Sequence, residues 1–215
     1  MDARLLDPLD EHERRTVMAA ARRRQFARNE VVFHDGDPGD SLHIVVKGHF
    51  AIRISTPLGD VATLRVLGPG EHFGELSVLA PGPRRGTVVS LEAGETQSLY
   101  RDDFVRLKAM TPKIDDALTA ALVAEVRRLA AGLVDALYVP AERRVWRRLN
   151  ELVGLYGKAP PVVIPVTQDD LAQLAGTTRP TANRVLRAGE EEGLVRLARG
   201  RIEVHDLRAL ERLSR

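Results

Sequence analysis

The chain has 215 residues, 44% of them hydrophobic, which is enough for one ordinary domain with a core and a smaller second one. It contains no cysteine, so disulfides, cysteine-ligated zinc or iron–sulfur sites and thiol nucleophiles are excluded. The net charge is only +2 and no apolar stretch is long enough for a secretory signal or a transmembrane helix, so we expect a soluble cytoplasmic protein with no membrane partner.

The first part of the chain predicts short β-strands after an arginine-rich opening helix. From Glu30 to about Leu99, β-branched runs such as VVF, HIVV, AIRI and TVV are separated by glycine-containing turns roughly every eight to twelve residues. This spacing is typical of an all-β barrel or sandwich and argues against alternating strands and helices.

A candidate anion cradle lies in FGELSVLAPGPRRGTV, residues 73–88. In this segment Glu75 precedes two adjacent arginines, Arg84 and Arg85. Guanidinium groups bind phosphates and carboxylates through charge-assisted hydrogen bonds, so the pair suits an anionic ligand. An internal salt bridge that merely closes an empty cradle explains the same three charges.

The segment TPKIDDALTAALVAEVRRLAAGLVDALYV, residues 111–139, predicts one long helix that Pro140 ends. A barrel needs only part of so long a helix to cover it, so we expect the remaining apolar residues to form a dimer seam. The alternative is a helix packed only on its own barrel. The apolar stripe consists of Ile114, Leu118, Ala121, Leu122, Leu129, Gly132, Leu133 and Ala136.

The last third of the chain is basic, with fourteen Lys and Arg against ten Asp and Glu from Pro140 onward, which favours a polyanionic partner. Its central segment, TQDDLAQLAGTTRPTANRVLRAGEEEGL, predicts two helices around a turn at Gly176. Thr167 and Asp170 are typical of a helix N-terminal cap, and Pro180 is tolerated because it falls in the first turn of the second helix.

The second of these helices has an apolar inward face and a polar outward face. Arginines near the N-terminal end of such an outward face suit the major groove of DNA, where arginine pairs with guanine. The hairpin LVRLARGRIEVH follows, and its basic turn is placed to reach phosphates, as in a winged helix. A helical hairpin with a solvated face is the alternative interpretation.

Barrel, long helix and winged helix, in this order, resemble the cyclic-AMP receptor protein/FNR family of bacterial transcription factors over roughly residues 31–204. The resemblance is carried by VVFHDGDPGDSLHIVVKG, by GPGEHFGELSVL with its arginines, and by GTTRPTANRVL. It implies an α+β fold: a double-stranded β-roll of the cyclic-nucleotide-binding type with an N-terminal helix (residues 1–110), a dimerisation helix (111–139) and a winged helix-turn-helix (140–215). It also implies a homodimeric transcription regulator, not an enzyme, with a palindromic double-stranded DNA operator and RNA polymerase as partners.

In nucleotide-binding relatives, backbone N–H groups and an arginine hold the cyclic phosphate while a glutamate binds the ribose 2′-hydroxyl. The resemblance assigns the arginine to Arg84 or, after a one-residue shift, to Arg85, and it assigns the glutamate to Glu75. The implied effector-binding residues are Gly74, Glu75, Leu76, Arg84 and Arg85.

The sequence departs from the cyclic-AMP readers in two ways. Arg85 or Gly86 stands where relatives have Ser or Thr, and no hydroxyl side chain of Ser or Thr between Thr119 and Thr167 is available to meet an adenine. An unpaired base group in a buried site weakens binding by about 1–3 kcal/mol. Cyclic AMP, another anionic effector and effector-independent regulation therefore all remain open.

For DNA, the resemblance implies that Arg179 and Arg184 contact bases and that Gln168 contacts a phosphate. Pro180 stands where the cyclic-AMP type has a glutamate that accepts from cytosine N4, so we expect an operator that keeps guanine but loses that cytosine preference. The candidate DNA-binding residues are Gln168, Thr177, Thr178, Arg179, Thr181, Asn183, Arg184, Arg199 and Arg201.

Other functional classes have weaker support. No Ser-His-Asp order, HExxH, P-loop or GxSxG motif is present, so no catalytic residues are predicted. A haem or metal sensor is a lesser alternative, because the histidines show no HxH or HxxxH spacing and no metal ligands are predicted. The six histidines are His12, His34, His43, His49, His72 and His205.

Overall fold

A computed structural model describes residues 5–56 and 59–215, so residues 1–4 of the predicted first domain lie outside the described part. The chain forms two units, one of Met1–Ile54 with Leu67–Ala130 and the other of Ser55–Val66 with Ala131–Arg215. None of the helices in the described ranges combines the length and hydropathy needed to cross a membrane.

Two four-stranded sheets form the N-terminal β domain, as the alternation of β-branched runs and turns predicts. Their strand orders are β1-β8-β3-β6 and β2-β7-β4-β5. The strands are β1 (Arg22–Phe26), β2 (Val31–Phe33), β3 (Ser41–Lys47), β4 (Phe50–Ser55), β5 (Val61–Leu67), β6 (His72–Phe73), β7 (Thr87–Ser90) and β8 (Gly94–Tyr100).

Aromatic and aliphatic side chains from both sheets fill the interior of this domain. Phe26 and Phe50 meet edge to face with ring centroids 5.7 Å apart, and Phe50 also contacts Phe73 at 5.6 Å. A second cluster packs under the helices α1 (Glu11–Ala20), α3 (Arg101–Met110) and α4 (Lys113–Tyr138), with α2 (Glu75–Leu79) lying between β6 and β7 in the chain.

The long helix α4 has two different apolar parts. Ile114, Leu118 and Ala121 are buried, the first two of them in the core cluster of the β domain, as a helix packed on its own barrel requires. Further along, apolar side chains remain in solvent, with Leu133 61% and Leu137 66% exposed. The predicted stripe is therefore divided between the protein's own core and an uncovered surface.

The C-terminal unit is a helix-turn-helix with a small sheet, which confirms the predicted winged helix. The sheet has the order β10-β11-β9, and all of its pairings are antiparallel. The elements are α5 (Ala141–Tyr156), β9 (Val162–Ile164), α6 (Gln168–Leu174), α7 (Arg179–Glu191), β10 (Val195–Ala198), β11 (Arg201–Val204) and α8 (Leu207–Ser214).

Local sequence signals set the boundaries of α6 and α7. Thr167 accepts a hydrogen bond from the Asp170 N–H while the Asp170 side chain accepts from Thr167, so the predicted cap is present. Gly176 takes a φ of 58° in the turn, and Thr178 caps α7 with Pro180 in its first turn. The separation of the two helices thus follows from the chemistry of a few residues.

Arg144 on α5 fixes this helix-turn-helix to the end of α4. Its guanidinium group donates to the Val139 carbonyl oxygen at 2.7 Å, to that of Ala175 at 2.8 Å and to that of Gly176 at 2.9 Å. These carbonyls lie at helix ends, where intrahelical donors are missing. One side chain therefore satisfies the end of α4 and the α6–α7 turn together.

A pair of helical glycines offers a test of packing in this unit. A Cβ at Gly189 would lie 2.5 Å from Trp146 Cη2, whereas a Cβ at Gly154 would meet nothing within 4 Å. Both Gly→Ala changes gain about 0.5–1 kcal/mol of helix propensity. We expect Gly189→Ala to lower the free energy of unfolding by about 1–3 kcal/mol through overpacking, and Gly154→Ala to raise it slightly. Urea unfolding measures both, and equal stability of the two variants would contradict the packing.

Candidate effector cradle and nucleic-acid interface

The predicted cradle lies where strand β6 turns into helix α2. Gly74 makes this turn with a φ of 82°, and Glu75 and Leu76 begin the helix. A Cβ at Gly74 would lie 2.7 Å from Arg84 Nη1 and 2.8 Å from the Ser41 carbonyl oxygen. Only glycine at this position leaves room for Arg84, which explains the glycine in the FGE motif, residues 73–75.

Arg84 is the buried arginine of the adjacent pair, with 4% of its surface exposed, whereas Arg85 is exposed. Its Nη1 donates to the Ser41 carbonyl oxygen at 2.6 Å and its Nη2 to the Ser41 hydroxyl at 2.9 Å. Its guanidinium carbon lies 4.0 Å from the centroid of the Phe33 ring. The structure therefore brings Arg84, and not Arg85, together with Gly74.

The charge of Arg84 is only partly compensated. Desolvation lowers the pKa of this guanidinium, while Asp40, Glu75 and Asp37 oppose the shift, and the Asp40 carboxylate lies 3.6 Å away. Its buried Nε has no hydrogen-bond partner among the described residues. An unsatisfied buried donor costs about 1–3 kcal/mol, so this atom favours the arrival of an acceptor.

A polar relay that the sequence did not reveal lies behind Arg84. His43 is buried, with Nε2 3.4 Å from the Ser41 hydroxyl oxygen and Nδ1 3.1 Å from that of Thr96. Its ring stacks on Phe73 with centroids 5.0 Å apart. Desolvation, with added repulsion from Arg84 and Arg24, lowers the pKa of His43 to about 3. The imidazole is therefore neutral at physiological pH and connects β8 to the serine that holds Arg84.

Another histidine of the β domain pairs with a carboxylate. His49 lies 2.5 Å from a Glu92 carboxylate oxygen. Within the described ranges, no three His, Asp or Glu side chains are grouped in a way that suits a metal ion.

Helix α7 presents the predicted DNA-binding side chains on its outward face. Ala182, Val185 and Leu186 are buried, which leaves Arg179 and Arg184 exposed on the opposite side. This is the division that the periodicity predicts. The helix thus has a rigid apolar face and an accessible cationic face, as a helix that enters the major groove requires.

Neighbouring polar residues complete this surface. Asn183 donates from Nδ2 to the Gln168 amide oxygen at 2.6 Å, which joins α6 to α7. The Thr178 and Thr181 hydroxyl oxygens are 3.0 Å apart at the start of α7, next to the half-buried Thr177. Gln168 on α6 and Asn183 on α7, two of the predicted DNA-contacting residues, are therefore in contact with each other.

The wing brings two further predicted arginines to the surface. Arg199 and Arg201 are exposed at the β10–β11 turn, where Gly200 takes a φ of 71°. Arg201 also pairs with Glu203 at 2.9 Å. Sequence reasoning did not identify Glu190, which pairs with Arg187 on α7 and accepts the Leu197 N–H of β10.

Two family models match the chain. The model described as "Cyclic nucleotide-binding domain" matches residues 23–110, and the model described as "Crp-like helix-turn-helix domain" matches residues 128–213. The first match contains the cradle and the second contains α6, α7 and the wing.

Relatives match almost the whole chain. The cyclic AMP receptor protein of Thermus thermophilus is 35% identical over 192 residues, which are 89% of this chain and 88% of the relative. The CRP-like cAMP-activated global transcriptional regulator of Mycobacterium tuberculosis is 32% identical over 194 residues, 88% of this chain and 87% of the relative. The crystal structure of the Thermus thermophilus catabolite activator protein is similar with a TM-score of 0.58 and 33% identity, covering 98% of this chain and 97% of that one.

The buried histidine generates a pH prediction. The folded-state pKa of His43 is about 3 and the ordinary value is 6.5, so the unfolded chain binds a proton that the folded chain excludes between these values. Protonation of His43 therefore does not reduce the free energy of unfolding above pH 6.5. Below that value it lowers the free energy of unfolding by up to about 1.4 kcal/mol per pH unit as the pH drops toward 3. We expect urea unfolding of His43→Gln to show a weaker loss of stability from about pH 7 to about pH 5 than the wild type.

Direct titration of the imidazole avoids any dependence on how well this variant folds. In wild-type protein labelled with ¹³C-histidine, the His43 ring should remain neutral at about pH 5, since its pKa lies well below that value. A titration of His43 centred near its ordinary value would contradict the buried relay.

Proposed function

Because the chain belongs to the cyclic-AMP receptor protein/FNR family of DNA-binding transcription regulators, which are not enzymes, we propose that it binds an inverted-repeat operator as a homodimer under the control of a small anionic effector. The observation that carries this proposal is the exposed cationic face of α7 beside a basic wing, in a chain that also has a cradle with an unpartnered buried Arg84 Nε among the described residues. Regulation of transcription further implies RNA polymerase as a protein partner.

The uncovered part of α4 supports the dimer. Val126, Leu133 and Leu137 are exposed and recur at intervals of seven and four residues, the spacing of a coiled-coil seam. A second copy of the same helix offers a matching surface of the same period, since a two-fold axis pairs a surface with itself. Leu129, a predicted seam residue, is exposed on the same half of the helix. A dimer sets the spacing of two recognition helices, and one turn of DNA, about 34 Å, is the spacing that allows both to bind.

The residues of the cradle support an anionic effector, and the composition of α4 bears on the chemical identity of that effector. Gly74, Glu75, Leu76 and Arg84 fit a cyclic phosphate, because glycine leaves room for the arginine and the arginine has a buried donor without a partner among the described residues. The relatives that are named for cyclic AMP support a cyclic nucleotide as the first candidate. The stretch of α4 from Leu129 to Ala131 has no hydroxyl for an adenine, so a different anion remains a candidate.

Effector-independent regulation is the second candidate function, and one observation favours it. Arg84 already donates to both oxygens of Ser41, so the protein itself satisfies two of its nitrogens. In that case the cradle is closed from within and ligand addition has no effect on DNA binding.

We predict distinct effects for two DNA-contacting arginines. Arg179→Ala should weaken binding to the selected operator by about 1–3 kcal/mol and relax the preference at one base pair, because arginine reads guanine with two hydrogen bonds. Arg199→Ala should weaken binding to all sequences alike and reduce the slope of log K against log salt by about 1, because the variant no longer neutralises one phosphate. Fluorescence anisotropy over a salt series measures both effects, and Arg208→Ala on α8 is the control of equal charge.

Selection of bound sites from random DNA shows whether the operator is an inverted repeat. Recovery of single half-sites only would contradict the dimer. Equal weakening of all sequences by Arg179→Ala would contradict the base-reading role of that residue.

We predict that the adjacent arginines of the cradle differ in effector binding. With cyclic AMP and cyclic GMP as probes in calorimetry, Arg84→Gln should weaken binding about 10- to 100-fold, since a hydrogen bond to a charged group contributes about 1.5–3 kcal/mol. Arg85→Gln removes the same charge from an exposed position and should change binding far less. A larger effect of Arg85→Gln would reverse the assignment, and an effect of neither nucleotide on wild-type DNA binding would favour effector-independent regulation or another anion.

A further inference from the structure

The wing has an open edge close to its DNA-facing tip. In the sheet order β10-β11-β9, strand β10 is an outer strand, and among the described strands it pairs with β11 alone, through Leu197 opposite Ile202 and Ala198 opposite Arg201. Backbone N–H groups on the outer edge of such a strand need partners from outside the sheet. The Leu197 N–H lies on this edge, two residues before Arg199.

A single carboxylate supplies the missing partner. Glu190, in the last turn of α7, accepts the Leu197 N–H through Oε1 at 2.7 Å. Its second oxygen accepts from Arg187 Nη1, also at 2.7 Å. Glu190 therefore takes the place of a neighbouring strand at one point of β10, and the same side chain holds an arginine of the recognition helix.

The backbone between helix and wing brings these groups together. Gly193 reverses the chain with a φ of 73°, and the Leu194 N–H donates to the Gly189 carbonyl oxygen at 2.8 Å. This tight connection places β10 beside the last turn of α7. The Glu190–Leu197 hydrogen bond adds a second link between the helix and the strand, besides the Leu194–Gly189 bond.

We propose that Glu190 is a positioning residue that latches the wing to the recognition helix, so that Arg187 and the wing arginines meet the DNA backbone as one rigid surface. This inference rests on the proposed binding of DNA. The bond from the Leu197 N–H, together with Arg187, lowers the pKa of Glu190, which keeps the latch ionised at physiological pH.

An ordinary surface ion pair does not explain this arrangement. The Arg187–Glu190 pair is exposed on the arginine side, and exposed pairs three residues apart in a helix contribute little to stability. The bond to Leu197 is different because it joins two elements and satisfies a backbone donor of a sheet edge. The neighbouring Glu191 is exposed and its side chain has no hydrogen bond or ion pair among the described residues, so it provides a control of equal charge.

The test compares Glu190→Ala, Glu190→Gln and Glu191→Ala in the full-length protein on its selected operator. Glu190→Ala should reduce the slope of log K against log salt by about 1–2, because the slope falls by about 0.9 for each phosphate that the protein no longer neutralises. Its preferences at the bases read by α7 should be unchanged. Glu190→Gln keeps an oxygen acceptor for Leu197 and should retain most of the wild-type slope, and Glu191→Ala should retain all of it.

Amide hydrogen exchange of Leu197 tests the latch without DNA. Exchange should be at least about tenfold faster in Glu190→Ala and unchanged in Glu191→Ala, because only the first variant frees this N–H. If Glu190→Ala matches Glu191→Ala in exchange and in salt slope, the latch is wrong. If Glu190→Gln is as impaired as Glu190→Ala, the charge pair with Arg187 is responsible and the latch is equally overturned.

Failure of the proposed function has a different signature. A wild-type protein that binds no DNA above its non-specific level would contradict DNA regulation, while the exchange of Leu197 would still decide whether Glu190 holds the wing.

Discussion

The buried guanidinium of Arg84 is the constraint on which the β domain depends. A charge removed from water is tolerated only where hydrogen bonds and nearby charges compensate it. Ser41 supplies two acceptors, Phe33 covers one face, and Gly74 leaves the space that a side chain would take. The FGE turn and the arginine thus come together, and the Nε of Arg84, which has no partner among the described residues, supports the proposed anion site.

The sequence predicted best those features that arise from neighbouring residues. Four local features occur where the sequence predicts them: the cap at Thr167, the turn at Gly176, the start of α7 before Pro180 and the wing turn at Gly200. Each depends on a backbone conformation or a cap within three or four residues. The outward position of Arg179 follows in turn, because a helix with one apolar face has only one way to pack.

Interactions between distant residues were beyond prediction from the sequence. His43 meets Thr96 only because β3 pairs with β8 in a particular register, and no motif encodes that register. Glu190 looks like one of three equivalent acids, yet the turn at Gly193 brings its carboxylate to Leu197. The apolar stripe of α4 was visible, but its division at about Ala121 depends on how much of the helix the β domain covers.

The hydrogen bonds of Arg84 also limit how the proposed effector can act. A ligand shifts a conformational equilibrium only by its difference in affinity for the two states. Two nitrogens of Arg84 already donate to Ser41. An anion that contacts this arginine alone therefore adds little beyond a hydrogen bond from Nε, which has no partner among the described residues. Under the proposed regulation, the rest of the difference must come from contacts of the effector with groups other than Arg84. The effector that fits this proposal is therefore an anion whose remaining atoms contact the protein differently in the two states of the dimer.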